Sequence, residues 1–363
     1  MTSTKMLSRE AFERAKLFLF ETARPLEKHL FLHLFAGLPA DQALTELARY
    51  ANPDGGFGHG LEPDLRYAES SALATSVALQ WMRACKLDAD HELVQHALGY
   101  LLDPFETPSA TSGGGGAGGW RIIPHSARTD VFDQAPWWSR PATEQDTCAT
   151  FNPSAELLGY LVEWGVDSSN ELNAKPPSRQ DAKEGGESER QDSGGSTWRL
   201  GDLASWRCQK TADAAERVWA LVQNEIETQA DPLESHDLLC LMRLAQTPNL
   251  PEELAAVVIQ RLLHDAPRVA ATDPEQWGGY VLMPLWLAPT PDHHAAKALG
   301  DDLLHQNLDY EIDRQNELGQ WDPSWDWGPD RRAGWELAKP DWQGVLTLQT
   351  LLTLRAYDRI AID

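Results

Sequence analysis

Asn52–Thr75, NPDGGFGHGLEPDLRYAESSALAT, carries both the turn that decides the fold and the densest group of ionisable residues in the chain. Asn52-Pro53-Asp54-Gly55-Gly56 cannot continue a helix, because proline lacks a backbone donor and paired glycines favour a sharp bend. Phe57 and Gly58 follow, and then His59, Gly60, Glu62, Pro63 and Asp64 stand within six positions. A helix begins beyond them: Ser70 or Ser71 can cap it, and Ala72, Leu73, Val77, Ala78, Trp81 and Met82 recur on one face. A Gly-rich loop bearing ionisable groups at a helix entrance is where an α-helical protein places its chemistry.

Outward from this loop the chain reads as helix after helix. Ser8 caps a first helix whose apolar side carries Phe12, Ala15, Leu17, Phe18 and Phe20, and Pro25 opens a second that runs to about Phe35. Asp41–Tyr50 is short and amphipathic, and Ser70–Cys85 with Asp90–Leu102 forms an antiparallel pair. Further helices are expected from Asn152 to about Trp164, and over Thr211–Glu227, Ser235–Ala245, Pro251–Ala266, Pro291–Leu308 and Asp341–Asp358. No segment alternates apolar and polar residues over six positions, so the chain is expected to be all-α.

Two stretches break the pattern. Asp103–Asn152 holds the glycine run Gly113–Gly119, followed by an aromatic and ionisable segment with His125, Asp130, Asp133, Trp137 and Trp138. A loop of that length inside a domain is usually functional or disordered. Residues 167–197 are polar, rich in Pro, Gly and Ser, and nearly free of apolar side chains. They are expected to be a disordered insertion within one domain spanning 1–363.

Composition narrows the function. A formal charge of −24 without a basic cluster argues against nucleic acid and disfavours an anionic membrane surface. Cys85, Cys148, Cys208 and Cys240 lie far apart without CxxC spacing, which fits free thiols in a reducing compartment. No apolar leader or run of about 18 apolar residues occurs, so a soluble, cytoplasmic protein is expected. Fifteen tryptophans need a role beyond filling a core.

The candidate catalytic residues are Glu62, Asp64 and His59. Two carboxylates flanking Pro63 in a tryptophan-lined cavity would push their pKa values apart and leave one protonated as a general acid. The alternative is that they complement the dipole of the next helix. Phe57, Arg66, His125, Trp137, Trp138 and His236 are candidate substrate contacts, as are Trp321, Asp322, Trp325, Asp326 and Trp327 in WDPSWDWGPD. Trp faces can stabilise a developing cation or stack on sugar rings, and the same residues can pin a structural turn. Asp301-Asp302 fits a solvated helix face, and Asp54 a turn residue bonding its own backbone.

The Gly-aromatic turn recurs as Gly55-Gly56-Phe57, Gly118-Gly119-Trp120 and Gly278-Gly279-Tyr280, with Gly319-Gln320-Trp321 as a variant. DGGFG before a helix, and such turns between helical hairpins, resemble the terpenoid cyclase and protein prenyltransferase family. More closely, NPDGGFGHGLEPD, APWW, FNPSAELLGYL, HDLLCLMRL and DWQGVLTLQTLLTLRAYDRI resemble uncharacterised microbial prenyltransferase-like proteins. The resemblance covers most of the chain outside 167–197. It implies an (α/α)6-type toroid of helical hairpins around a central cavity. The acid motif D-x-D-D of the class II cyclases is missing, and so is D-D-x-x-D, since Leu303, Leu304 and His305 follow Asp301-Asp302. Asp146-Thr147-Cys148 matches half of the prenyltransferase zinc motif, without an assured histidine. No metal ligand set or cofactor is assigned, and magnesium or zinc stays open.

Two functions from different classes are therefore carried forward. One is an isoprenoid-processing enzyme acting on a small hydrophobic substrate through a cavity carboxylic acid (Asp64 or Glu62) and aromatic walls. The other is a carbohydrate-active enzyme with paired carboxylates and Trp platforms. A non-catalytic binding scaffold stands below them.

Overall fold

The computed structural model describes residues 4–102, 119–123, 134–138, 151–165 and 200–361, with side chains from 209 onward in the last stretch. Residues 167–197, the Asp146-Thr147-Cys148 segment and His125 lie outside the described residues.

The described residues are all-α. In chain order the helices are α1 (Arg9–Glu21), α2 (Pro25–Ala36), α3 (Asp41–Ala48), α4 (Ala72–Ala84), α5 (Glu92–Leu102), α6 (Ser154–Trp164) and α7 (Leu200–Thr228). They continue as α8 (Ser235–Ala245), α9 (Glu252–Val269), α10 (Pro284–Leu287), α11 (His294–Leu299), α12 (Asp301–Asp313) and α13 (Arg332–Ala356). Extended pairing among the described residues is limited to isolated bridges, two of them, Ala51 with Phe57 and Phe57 with Ser71, inside the Gly-rich loop. No helix among the described residues is long and apolar enough to cross a membrane.

Local chemistry sets the ends of these helices. Ser8 accepts a bond from the Ala11 N–H at 3.1 Å, and Ser71, not Ser70, caps α4 through the Ala74 N–H at 3.0 Å. Pro25 takes the first position of α2, where its missing donor costs nothing. The helix expected over Pro291–Leu308 is instead two: Gly300, at φ +82°, turns the chain between α11 and α12. The last helix starts at Arg332, nine residues earlier than expected, with Pro340 inside it.

Neighbouring helices pack in sequence. α4 meets α5 and α6; α6 meets α7 and α8; α8 meets α9 and α10; and α13 returns to pack on both α1 and α2. One continuous apolar core runs through these contacts, from Phe12 and Phe31 through Trp81, Leu158 and Leu241 to Leu348.

The Gly-aromatic turns form a repeated wall unit. The backbone N–H of Phe57 donates to Thr75 Oγ1 of α4 at 3.1 Å, that of Trp120 to Ser154 Oγ of α6 at 3.0 Å, and that of Trp321 to Thr347 Oγ1 of α13 at 3.1 Å. The indoles cap the preceding helices: Trp120 Nε1 donates to the Leu101 carbonyl and Trp321 Nε1 to the Glu311 carbonyl, each at 2.8 Å. Trp277 does the same for the Ala271 carbonyl, just past α9, at 2.7 Å. Carbonyls at a helix C-terminus otherwise lack partners, so each indole meets a standing need. Thr347→Val keeps the shape and leaves the buried Trp321 N–H unpaired. We expect it to cost about 1–3 kcal/mol in urea unfolding, and an unchanged midpoint would deny the wall unit its structural role.

Candidate functional site

A partly open cavity of about 1080 Å³ is lined by α4, α6, α8, α10 and α13 together with the Gly-rich loop. Its long walls are apolar: Leu73, Val77 and Trp81 from α4, Leu239 and Met242 from α8, Leu285 and Trp286 from α10, and Val345, Leu346, Leu352 and Leu354 from α13. Trp342 and Leu354 both line it, twelve residues apart on one helix, which spans about 18 Å.

The acid end is built from segments far apart in the sequence. Asp64 is buried, and its Oδ1 accepts the indole N–H of Trp342 at 2.7 Å and that of Trp327 at 2.8 Å. The Trp325 indole nitrogen is buried close by, near enough to Asp64 to favour its charged form, with its ring edge-on to Trp342 at 5.0 Å and to Tyr280 at 5.6 Å. The Asp64 carbonyl accepts the Ala135 N–H at 2.9 Å, which brings Trp137 and Trp138 onto the same wall.

Glu62, half-buried, faces the same space. Burial pushes its carboxyl up to about 8; the charge of Asp64 adds to this and Arg24 opposes it. Burial also raises Asp64, but there the bonds from Trp342 and Trp327 favour the charged form. Of the two, the surroundings therefore favour the proton on Glu62 and the charge on Asp64.

Arg24 fixes the loop that presents Glu62. Its Nε and Nη2 grip both oxygens of the fully buried Glu27, at 2.9 and 2.6 Å, and its Nη1 donates to the carbonyls of Gly60 at 3.0 Å and Leu61 at 3.2 Å. Gly58 passes so close to the Glu69 carbonyl that a Cβ there would collide with it.

α8 presents His236, Leu239, Cys240 and Arg243 to the cavity along one face at i, i+3, i+4 and i+7. His236 Nδ1 faces Glu234 and Nε2 faces the Tyr280 hydroxyl, both at 2.9 Å, and the bond to Glu234 raises its pKa against the effect of burial. Deeper in, Glu156 of α6 accepts the Tyr160 hydroxyl at 2.7 Å and Arg243 Nη1 at 2.9 Å.

The expected site residues divide. Glu62, Asp64, Trp137, Trp138, His236, Trp325 and Asp326 all line the cavity, and Trp327 stands behind Asp64. Phe57 and Trp321 are fully buried in the wall units described above and belong to the framework. His59 is exposed in a left-handed conformation at φ +55°, with Nε2 2.9 Å from Asn52 Oδ1, outside the cavity lining. Arg66 pairs with Asp341 at 2.6 Å, and Asp322 accepts from Gln343 and Asn316, so both brace α13 and its approach.

Comparison of the chain with known proteins gives no relative. No protein family, curated protein or solved structure matches it.

Sequence reasoning passed over Arg24, Glu27, Glu156, Arg243, Tyr280, Glu311 and Arg314. The spacing of His236, Cys240 and Arg243 on one helical face was the signal available for Arg243. Tyr280 was legible only as the aromatic of a Gly-Gly turn. In fact Trp277 takes the structural place in that turn, and Tyr280 stands 58% exposed beside the cavity.

Proposed function

We propose that the protein is an isoprenoid-processing enzyme in which Glu62 is the general acid and Asp64 the counter-charge. The supporting observation is a pair of carboxyl groups, Glu62 with its pKa pushed up by burial and Asp64 held by two tryptophan indoles, lining one mostly apolar cavity. An acid titrating near 8 is a mild donor. It suits an oxygen that takes up the proton as its C–O bond breaks better than it suits a bare alkene. With an epoxide, the Glu62 proton passes to the ring oxygen, the C–O bond breaks towards oxygen to give a hydroxyl, and a carbocation remains. A neighbouring C=C supplies its electron pair to form the new C–C bond. A C–H proton then returns to the Glu62 carboxylate, so the net change is an isomerisation. Asp64 offsets the positive charge by Coulomb attraction, and the Trp side chains around it limit the access of water.

An (α/α) toroid is the architecture that goes with this proposal. Alternate helices α4, α6, α8 and α10, with α13, line the cavity, and α13 packs back on α1 and α2.

The carboxyl pair and adjacent tryptophans also favour a second function, glycoside hydrolysis, in which one acid protonates the glycosidic oxygen and a carboxylate supports the cation. A thermal-shift screen separates the two, since a ligand of the folded state alone raises stability by mass action. Isoprenoid alcohols and epoxides should raise Tm. Stabilisation by neutral oligosaccharides alone would sink the isoprenoid proposal.

A further inference from the structure

We infer that the cavity admits an uncharged ligand and rejects anions, and that three glutamates impose this selection. It rests on the proposal above only in taking this cavity as the ligand site. Among the described residues, the arginines and lysines lining the cavity are Arg24, Arg243 and Arg314. Each is already held by a glutamate: Arg24 by Glu27 through two bonds, Arg243 by Glu156 at 2.9 Å, and Arg314 by Glu311 at 2.7 Å. Those glutamates are 0%, 1% and 5% exposed, so water does not screen the pairs from the carboxylate side. The Tyr160 hydroxyl fixes Glu156 further.

An arginine serves a phosphate or carboxylate ligand when its charge and its fork of donors are free. Here each arginine charge is offset before a ligand arrives, His236 is likewise held by Glu234 at 2.9 Å, and the Asp64 carboxyl stands at the acid end with no cation beside it. A diphosphate or carboxylate entering this space would lose its hydration without finding a matching cation. An alcohol, epoxide or hydrocarbon has no such loss. The pairs also link helices: Glu156 joins α6 to α8, and Glu27 ties α2 to the Gly-rich loop through Arg24. The same bonds therefore hold the walls and set their charge.

The test is to free one arginine at a time and offer the anion alone. Inorganic pyrophosphate is titrated calorimetrically into the full-length wild type and into Glu156→Gln and Glu311→Gln, each checked for a cooperative unfolding transition. At least one folded variant should bind pyrophosphate roughly thirtyfold more tightly than the wild type. Equal binding in wild type and folded variants, or none in any of them, overturns the inference. Farnesol and farnesyl diphosphate on the wild type give an arm that needs no variant: a larger Tm rise with the diphosphate also overturns it. Stabilisation by neutral sugars alone would remove the isoprenoid proposal and leave the charge selection standing. Stabilisation by farnesol and, more strongly, by the diphosphate would do the reverse.

Discussion

Replacing Glu62 by glutamine is expected to lower turnover by roughly a hundred- to ten-thousandfold, the usual worth of a positioned general acid. The substrate is whichever isoprenoid alcohol or epoxide raises Tm. The amide keeps the shape of the carboxylic acid, so the ligand-induced Tm rise should persist while product formation falls. The same variant has a signature that needs no substrate. The Glu62 carboxyl is raised to about 8 in the folded protein from an ordinary 4.5, so the native chain keeps a proton that the unfolded chain releases. Its contribution to stability is fully present below about pH 4.5 and is lost as pH rises through 8. A shift of that size corresponds to on the order of 5 kcal/mol. Urea unfolding of the wild type should therefore weaken from pH 5 to pH 8 by several kcal/mol relative to Glu62→Gln. Parallel pH profiles for the two proteins would remove Glu62 from the acid role.

Glu27→Ala is the substitution expected to cost most in stability, about 3–5 kcal/mol, because it strands the charge of Arg24 in a site where that side chain is 9% exposed. The loss begins with the clamp, since the same guanidinium holds the Gly60 and Leu61 carbonyls and through them the loop bearing Glu62. A released Arg24 would also favour the ionised form of Glu62, moving its titration towards lower pH. Removing both partners, as in Arg24→Met with Glu27→Leu, should recover much of the stability, because no buried charge is then left alone. Chemical denaturation of the three variants checks this. A cost below about 1 kcal/mol for Glu27→Ala would show that the pair is not structural.

Much of the framework was legible in the sequence because its signals are local. The bounds of α8 follow from periodicity alone, and a serine cap marks the start of α4. The acid pair was legible too, since Glu62 and Asp64 flank a proline in a Gly-rich loop. What holds the pair was not: Trp327 and Trp342 reach Asp64 across 263 and 278 residues, and no local pattern encodes that distance. Aromatic residues after glycine were the hardest to assign. Phe57 and Trp321 fill the wall while Tyr280 faces the cavity, and the partners that separate these roles, Thr75, Thr347 and His236, lie 18, 26 and 44 residues away. The break between α11 and α12 was missed because a glycine inside a helical pattern does not announce whether it will adopt positive φ.

The titration of Glu62 itself tests the central claim most directly, by 13C NMR on glutamate-labelled protein with the signal assigned through Glu62→Gln. One glutamate carboxyl should remain protonated through neutral pH, titrate near 8, and move down in Asp64→Asn, where the neighbouring negative charge is gone. A Glu62 that titrates in the ordinary carboxylate range, near about 4.3, would contradict the account.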